Sequence, residues 1–238
     1  MIQLVLSDRY FLRDPQHTEL GIKIISHSIL MIDELGFEQF TFKKLAQAIG
    51  STEASVYRYF DNKHKLLIYL IAWYWKWMEY QIDYRTNNVP DAAERLKLAL
   101  RMLCRPVEVD PNFAHINESA LHRIVVAESN KTYLTKHVDE DNKEGLFRGY
   151  KDLCHRVAVM VQEINGDYAY PHALVSTVLE ASLHQPFFAA HLPSLTEVKK
   201  GKNVHEQTYD YLEDLVFTVV GPRVDSYTDD YKQPDLAE

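Results

Sequence analysis

Apolar residues recur at three- and four-residue intervals from about residue 12 to residue 220, with few strand-like alternations between them. The pattern predicts an all-α chain. Ile22, Ile25, Ile29 and Ile32 form one stripe, which predicts a first helix over 12–36 that clamps onto its neighbours. Phe42, Leu45, Ala46 and Ile49 form a shorter stripe that stops at Gly50, where a residue without a side chain accommodates the turn. A third helix follows at once. Ser51 or Thr52 is placed to cap its first amides, and Val56, Tyr57 and Phe60 are expected to face inward. Leu66, Leu67, Leu70 and Ile71 open a long fourth helix over 64–86. A fifth begins at Asp91 with Ala93, Leu96, Leu100 and Leu103 inward, and Pro106 and Pro111 bound the loop after it. Further helices are predicted over 112–129 and 142–164. The latter carries Leu146, Tyr150, Leu153, Val157, Met160 and Ile164 in near-heptad register, the mark of a central element. The last two run from Pro171 to His191, with a bend at Pro186, and from Val204 to Val220. From Pro222 onward acidic residues replace the periodicity, and a loose tail is expected. The chain thus divides into a three-helix head (12–65), a larger helical body (66–221) and a tail (222–238).

Within the head, residues 41–67 make two short helices that cross at a glycine-containing turn, the geometry whose second member enters a DNA major groove. Glu53, Ser55, Arg58 and Tyr59 lie between the inward positions, a face of hydrogen-bonding groups with little reason to be buried. More specific than the geometry is a set of residues over 24–67: Gly36-Phe37 ahead of Thr41, Leu45-Ala46, Gly50, the run Ser55-Val56-Tyr57-Arg58-Tyr59-Phe60, then Lys63 and the pair Leu66-Leu67. This segment resembles the helix-turn-helix of the TetR family of bacterial transcriptional regulators. It departs from the family pattern at His27-Ser28, where small residues are usual, and at Ala54, where glycine is usual.

The resemblance implies a double-stranded DNA operator as partner. Thr41 then contacts a phosphate from a helix N-terminus, whose dipole and free amides favour an anion, and Lys63 does the same from the start of the fourth helix. Thr52, Ser55, Tyr57 and Tyr59 sit on or beside the recognition helix, Lys43 and Ser51 complete the set, and Arg58 is suited to a guanine edge. The resemblance also implies a homodimer, since paired recognition helices about 34 Å apart read two half-sites. Leu174, Val178, Ala181, Leu212, Leu215 and Val219 are the candidates for the dimer surface, with completion of a monomer core as the alternative. A small, largely apolar effector is implied among helices four to eight, and Trp77, Tyr80, Tyr84, Phe113, His122, Tyr150 and His184 are its candidate lining. Trp73, Trp75 and Trp77 cannot all face one way at 100° per residue, so at least one is expected to face the pocket or a partner subunit.

Charge refines this picture. Residues 1–65 hold eight Lys/Arg and eight Asp/Glu, so the formal net charge of −8 falls wholly on the remainder. An acidic chain is unsuited to nonspecific phosphate binding, and site-specific contacts by a neutral head are expected instead. No apolar run reaches the ~18–20 residues that span a bilayer, and charges come too early for a signal peptide, so a cytoplasmic location without membrane partners is expected. Two cysteines, Cys104 and Cys154, indicate buried thiols rather than a disulfide framework. No CxxC, phosphate loop or nucleophile elbow is present, so no cofactor, catalytic residue or metal is assigned and the chain is not expected to be an enzyme. The sharpest rival is Glu118/His122 and Glu180/His184, two carboxylate–imidazole pairs at i,i+4 that could hold a metal in a helical bundle. The other alternative is a TetR-like fold that carries a hydrophobic ligand without binding DNA.

Overall fold

The computed structural model describes residues 4–113 and 115–221. Among them are eleven α-helices and no strand: α1 (Glu19–Leu35), α2 (Phe42–Ala48), α3 (Glu53–Tyr57), α4 (Lys63–Thr86), α5 (Ala92–Cys104), α6 (Glu118–Glu128), α7 (Asn130–Tyr133), α8 (Val138–Lys143), α9 (Arg148–Ile164), α10 (Pro171–His191) and α11 (Val204–Val220). The tail expected over 222–238 lies outside the described residues.

Local chemistry sets most of the boundaries. Thr18, Thr41, Thr52, Asn62, Asp91 and Asn117 each place a side-chain oxygen on an amide of the first turn of the following helix, satisfying a donor that the helix itself cannot. Gly36 and Gly50 close α1 and α2 at φ 77° and 64°, in the left-handed region that favours glycine.

Three boundaries differ from the sequence expectation. The first helix begins at Glu19, not near 12, because Asp14 and Pro15 start a separate 3-10 turn and Thr18 recaps the chain. Residues 4–18 form instead an arm across head and body. Its Leu12 N–H donates to the Tyr59 carbonyl (2.8 Å) and its Arg9 Nη1 to the Glu144 carbonyl (3.1 Å). The helix expected over 142–164 is divided, because Gly145 adopts φ 77° between α8 and α9. That expected over 112–129 starts only at Glu118, after a 3-10 turn at Pro111–Phe113. No break accompanies Pro186, which lies inside α10.

α4 is the axis of the molecule. Every residue from Leu66 to Trp75 is buried, so the helix has no wet face there and is enclosed by α5, α6, α9 and the arm. The three tryptophans are all buried, and Trp75 borders a small internal space with Tyr133, Leu146 and Tyr150. Trp73 stacks on Trp77 at 6.5 Å and meets Phe113 edge-on at 5.5 Å, while Trp75 packs against Tyr150 at 4.8 Å on another side. Their divergent directions were anticipated correctly, but a neighbouring helix waits on each side.

The dimer candidates also divide. Leu174, Val178 and Leu212 are buried within this one chain, where α10 packs between α9 and α11, so they complete the monomer core. Ala181 and Leu215 are half-buried and Val219 is 37% exposed.

The arm docks closely: a Cβ on Gly21 would lie 2.3 Å from the Pro15 carbonyl oxygen. Backbone cannot retreat as a flexible side chain can, so Gly21→Ala is expected to lower stability by roughly 1–3 kcal/mol in urea unfolding; unchanged stability would mean that the arm does not dock this way.

Candidate nucleic-acid interface

Three short helices build the head around Ile25, Ile29, Phe40, Leu45, Val56 and Phe60, all buried. Ser28 is buried among them, while His27 is half-buried with Nδ1 3.0 Å from the Lys23 carbonyl oxygen. The polar pair that departs from the family pattern thus splits into one core and one half-buried residue.

At the turn, Thr52 Oγ1 accepts from the Ser55 amide (3.2 Å) and shares a hydrogen bond with Ser55 Oγ (2.9 Å), to which Arg58 Nη2 also donates (3.2 Å). This chain of groups lies on an outward face of α3, with Thr52 and Arg58 exposed and Ser51 and Ser55 half-buried. Thr41 and Lys43 are exposed at the start of α2, where Thr41 Oγ1 caps the Lys44 amide at 3.2 Å. Two helix N-termini and two cationic side chains, Lys43 and Arg58, are therefore presented to solvent from one small head.

Two tyrosines exchange the roles that periodicity suggested. Tyr57, expected to face inward as well as to touch DNA, is 46% exposed, its ring edge-on to Phe42 at 5.1 Å. Tyr59, expected on the DNA face, is only 1% exposed. α3 ends at Tyr57, so 100° spacing no longer applies two residues later, and the Tyr59 hydroxyl turns back to share a 2.7 Å hydrogen bond with Thr18. Lys63 differs from its expected role too. Its Nζ donates to the carbonyls of Phe37 (3.0 Å), Glu38 (3.2 Å) and Phe40 (3.3 Å), over the Phe37 ring at 4.6 Å. All three ammonium donors are engaged, so Lys63 ties the α1–α2 connection to α4.

Residues 24–70 match the family model of bacterial regulatory proteins of the tetR family. The head resembles this family over those residues. A curated relative, the nucleoid occlusion factor SlmA of Vibrio vulnificus strain YJ016, is 31% identical over 81 residues, 34% of this chain and 41% of that protein. Among solved structures, the fatty acid degradation regulator FadR from Bacillus halodurans aligns with TM-score 0.56 and 17% identity, covering 92% of this chain and 98% of FadR. AibR in complex with isovaleryl coenzyme A and operator DNA aligns with TM-score 0.53 and 18% identity, over 82% of this chain and 96% of AibR. At such identities the two structures share a fold with this chain, and that fold spans body as well as head.

In the body, the candidate effector residues fall into three places. Trp77 and Phe113 are buried beside α4, and half-buried His122 of α6 shares a 2.8 Å hydrogen bond through Nδ1 with the Tyr74 hydroxyl. Tyr80 and exposed Tyr84 stack at 6.5 Å on the wall of an open groove of about 1030 Å³ between α4, α5 and α9. Tyr150 and His184 meet through Glu180, whose Oε1 accepts from Tyr150 (2.9 Å) and Tyr133 (3.0 Å) and whose Oε2 lies 3.9 Å from His184 Nδ1. Sequence reading missed the charged lining of the groove, where Arg156 pairs with Asp83 (2.9 Å) and Glu79 (3.5 Å). Glu79 and Asp83 are i,i+4 on α4, and that spacing was the available signal. No group of three or more His, Cys, Asp or Glu gathers in metal-holding geometry among the described residues.

Burial governs the titration of the α6 pair. It pushes the Glu118 carboxyl up to about 7 and the His122 imidazole down to about 4. An acid whose folded pKa exceeds its ordinary 4.5 contributes stability that is present below that value and is lost as pH rises through about 7. Glu118→Gln is therefore expected to raise the melting temperature over wild type at pH 8, with the gain shrinking towards pH 5; a gain independent of pH would contradict this origin.

Proposed function

We propose that this chain is a DNA-binding transcriptional regulator of the TetR type, a homodimeric repressor that holds a palindromic operator and is released by a small, largely apolar ligand. Residues 12–65 serve as the DNA-binding head and 66–221 as the effector-binding and dimerisation body. The observation that carries this reading is the outward hydrogen-bonded chain Thr52–Ser55–Arg58 on a capped α3, beside the exposed Thr41 and Lys43. Hydroxyls and a guanidinium arranged in this way suit phosphate oxygens and base edges, and a structural helix pair has no use for them. Ser51 and Tyr57 stand beside this set. Tyr59 and Lys63 support it from behind, one through the arm and the other through the α1–α2 connection.

AibR, of the same fold, was crystallised with both a coenzyme A thioester and operator DNA, which makes a regulator with two ligands the natural reading of a matching architecture. A neutral head gains little from general phosphate attraction, so dimer geometry must supply the affinity. The half-exposed Ala181, Leu215 and Val219 of α10 and α11 are the residues of the candidate surface left for a second copy.

Selection of bound fragments from random DNA, with no effector added, is expected to enrich a two-fold symmetric site. Arg58→Ala should weaken that site by ~1–3 kcal/mol without altering the melting temperature. No enrichment would favour a ligand carrier that does not bind DNA. Sedimentation should report a dimer at micromolar concentration, and a single 27.7 kDa species would remove the paired-head geometry.

A further inference from the structure

Two histidines from different helices meet at the seam where α10 packs on α9. His155, midway along α9, and His172, the second residue of α10, are both exposed, and His155 Nδ1 lies 3.0 Å from His172 Nε2. The two ring planes lie within 13° of each other. A neutral imidazole carries one N–H and one lone pair, so a single hydrogen lies between the facing nitrogens. That hydrogen can move to the other nitrogen of its own ring, which leaves both facing nitrogens as lone pairs without charging either ring.

A second contact holds the pair in place. Cys154, beside His155, donates through Sγ to the His172 carbonyl at 3.6 Å, tying the first turn of α10 to α9 independently of the rings. Burial pushes the Cys154 thiol up, so the sulfur stays protonated and acts as this tie, not as a metal ligand.

The separation of the nitrogens suits one ion. Imidazole nitrogens bind transition-metal dications at about 2.0–2.1 Å, and two such bonds to nitrogens 3.0 Å apart enclose about 90–100° at the metal. This is the cis angle of square or octahedral coordination, favoured by Ni²⁺ and Cu²⁺, and it falls short of the tetrahedral angle of structural Zn²⁺. Tilting each ring towards the shared ion completes the fit, and exposed rings have room to tilt. His155 also stands on the wall of the open groove, which carries Glu79, Asp83, Asp152 and Glu163 against Arg95 and Arg156. Both guanidiniums are engaged, Arg156 with Glu79 and Asp83 and Arg95 with Glu163, so the excess charge of the groove is negative and draws cations.

We propose that His155 and His172 form a two-histidine site for a transition-metal dication of the nickel or copper class, bridging α9 and α10. Water fills the remaining positions, since no third His, Cys, Asp or Glu joins the pair in metal-holding geometry among the described residues. The site is separate from Glu118/His122 and Glu180/His184, each of which lies on a single helix, and it does not depend on the regulator reading. Its two nitrogens come together only in the folded chain, so the ion binds the native state in preference to the unfolded one and stabilises it.

Ni²⁺, with Mg²⁺ as control, tests the site on the full-length protein without an affinity tag, by calorimetry and thermal melting. Ni²⁺ is expected to bind and to raise the melting temperature, and Mg²⁺ at the same concentration to do neither. His155→Gln and His172→Gln, each folded by its metal-free melting curve, should both weaken Ni²⁺ by at least about tenfold and remove the rise. His17→Gln, which changes an exposed histidine of the arm, should leave binding and rise intact. Binding without stabilisation, the mark of an adventitious ion only, would overturn the assignment. So would loss in just one of the two seam variants, or an equal loss in His17→Gln.

Discussion

The enclosure of α4 constrains everything else. Over the ten residues from Leu66 to Trp75 this helix presents no surface to water, and a helix that is apolar all round must be covered on every side. α5, α6, α9 and the arm provide that cover. The close crossing of α9 is visible at Gly149, where a Cβ would meet the Ala72 carbonyl oxygen at 3.3 Å. Because the N-terminal end of the same helix carries Lys63, bound to three carbonyls ahead of α2, the packing of the body and the placement of the head share one rigid element.

α6 gives the head a second attachment. At one end it carries buried Glu118 and half-buried His122; at the other, Glu128 Oε1 accepts from the Phe37 amide (3.2 Å) and Lys131, just beyond it, pairs with Glu38 (2.9 Å). Arg123, midway, pairs with Asp33 of α1 (2.6 Å). The exposed pairs contribute little each, whereas Glu128 is nearly buried and its bond to a backbone amide is the costlier one to lose. A shift of α6 therefore reaches the connection between α1 and α2 without passing through α4.

The architecture was legible wherever amphipathic periodicity and capping chemistry coincide. Thr41, Gly50 and Thr52 mark their turns in the sequence, and α5, α10 and α11 fall close to where their stripes place them. Periodicity failed where a helix stops inside an apolar run: Tyr59 follows the end of α3, and its neighbour is Thr18, forty-one residues away in sequence. It failed again where one apolar set serves several neighbours, as with Leu174, Val178 and Leu212. A stripe says that a face is covered, not whether this chain or a second copy covers it.

α3 has five residues, far below the length at which an isolated helix holds together in water. Its shape is therefore borrowed from Val56 and Phe60 in the core, from the Thr52 cap, and from the arm that grips the Tyr59 carbonyl. Shape and outward chemistry are carried by different atoms: side chains that turn inward keep the helix, and those that turn outward are free of that duty. On the DNA-reading role proposed above, such a division would let outward residues change the preferred sequence while the scaffold stays intact.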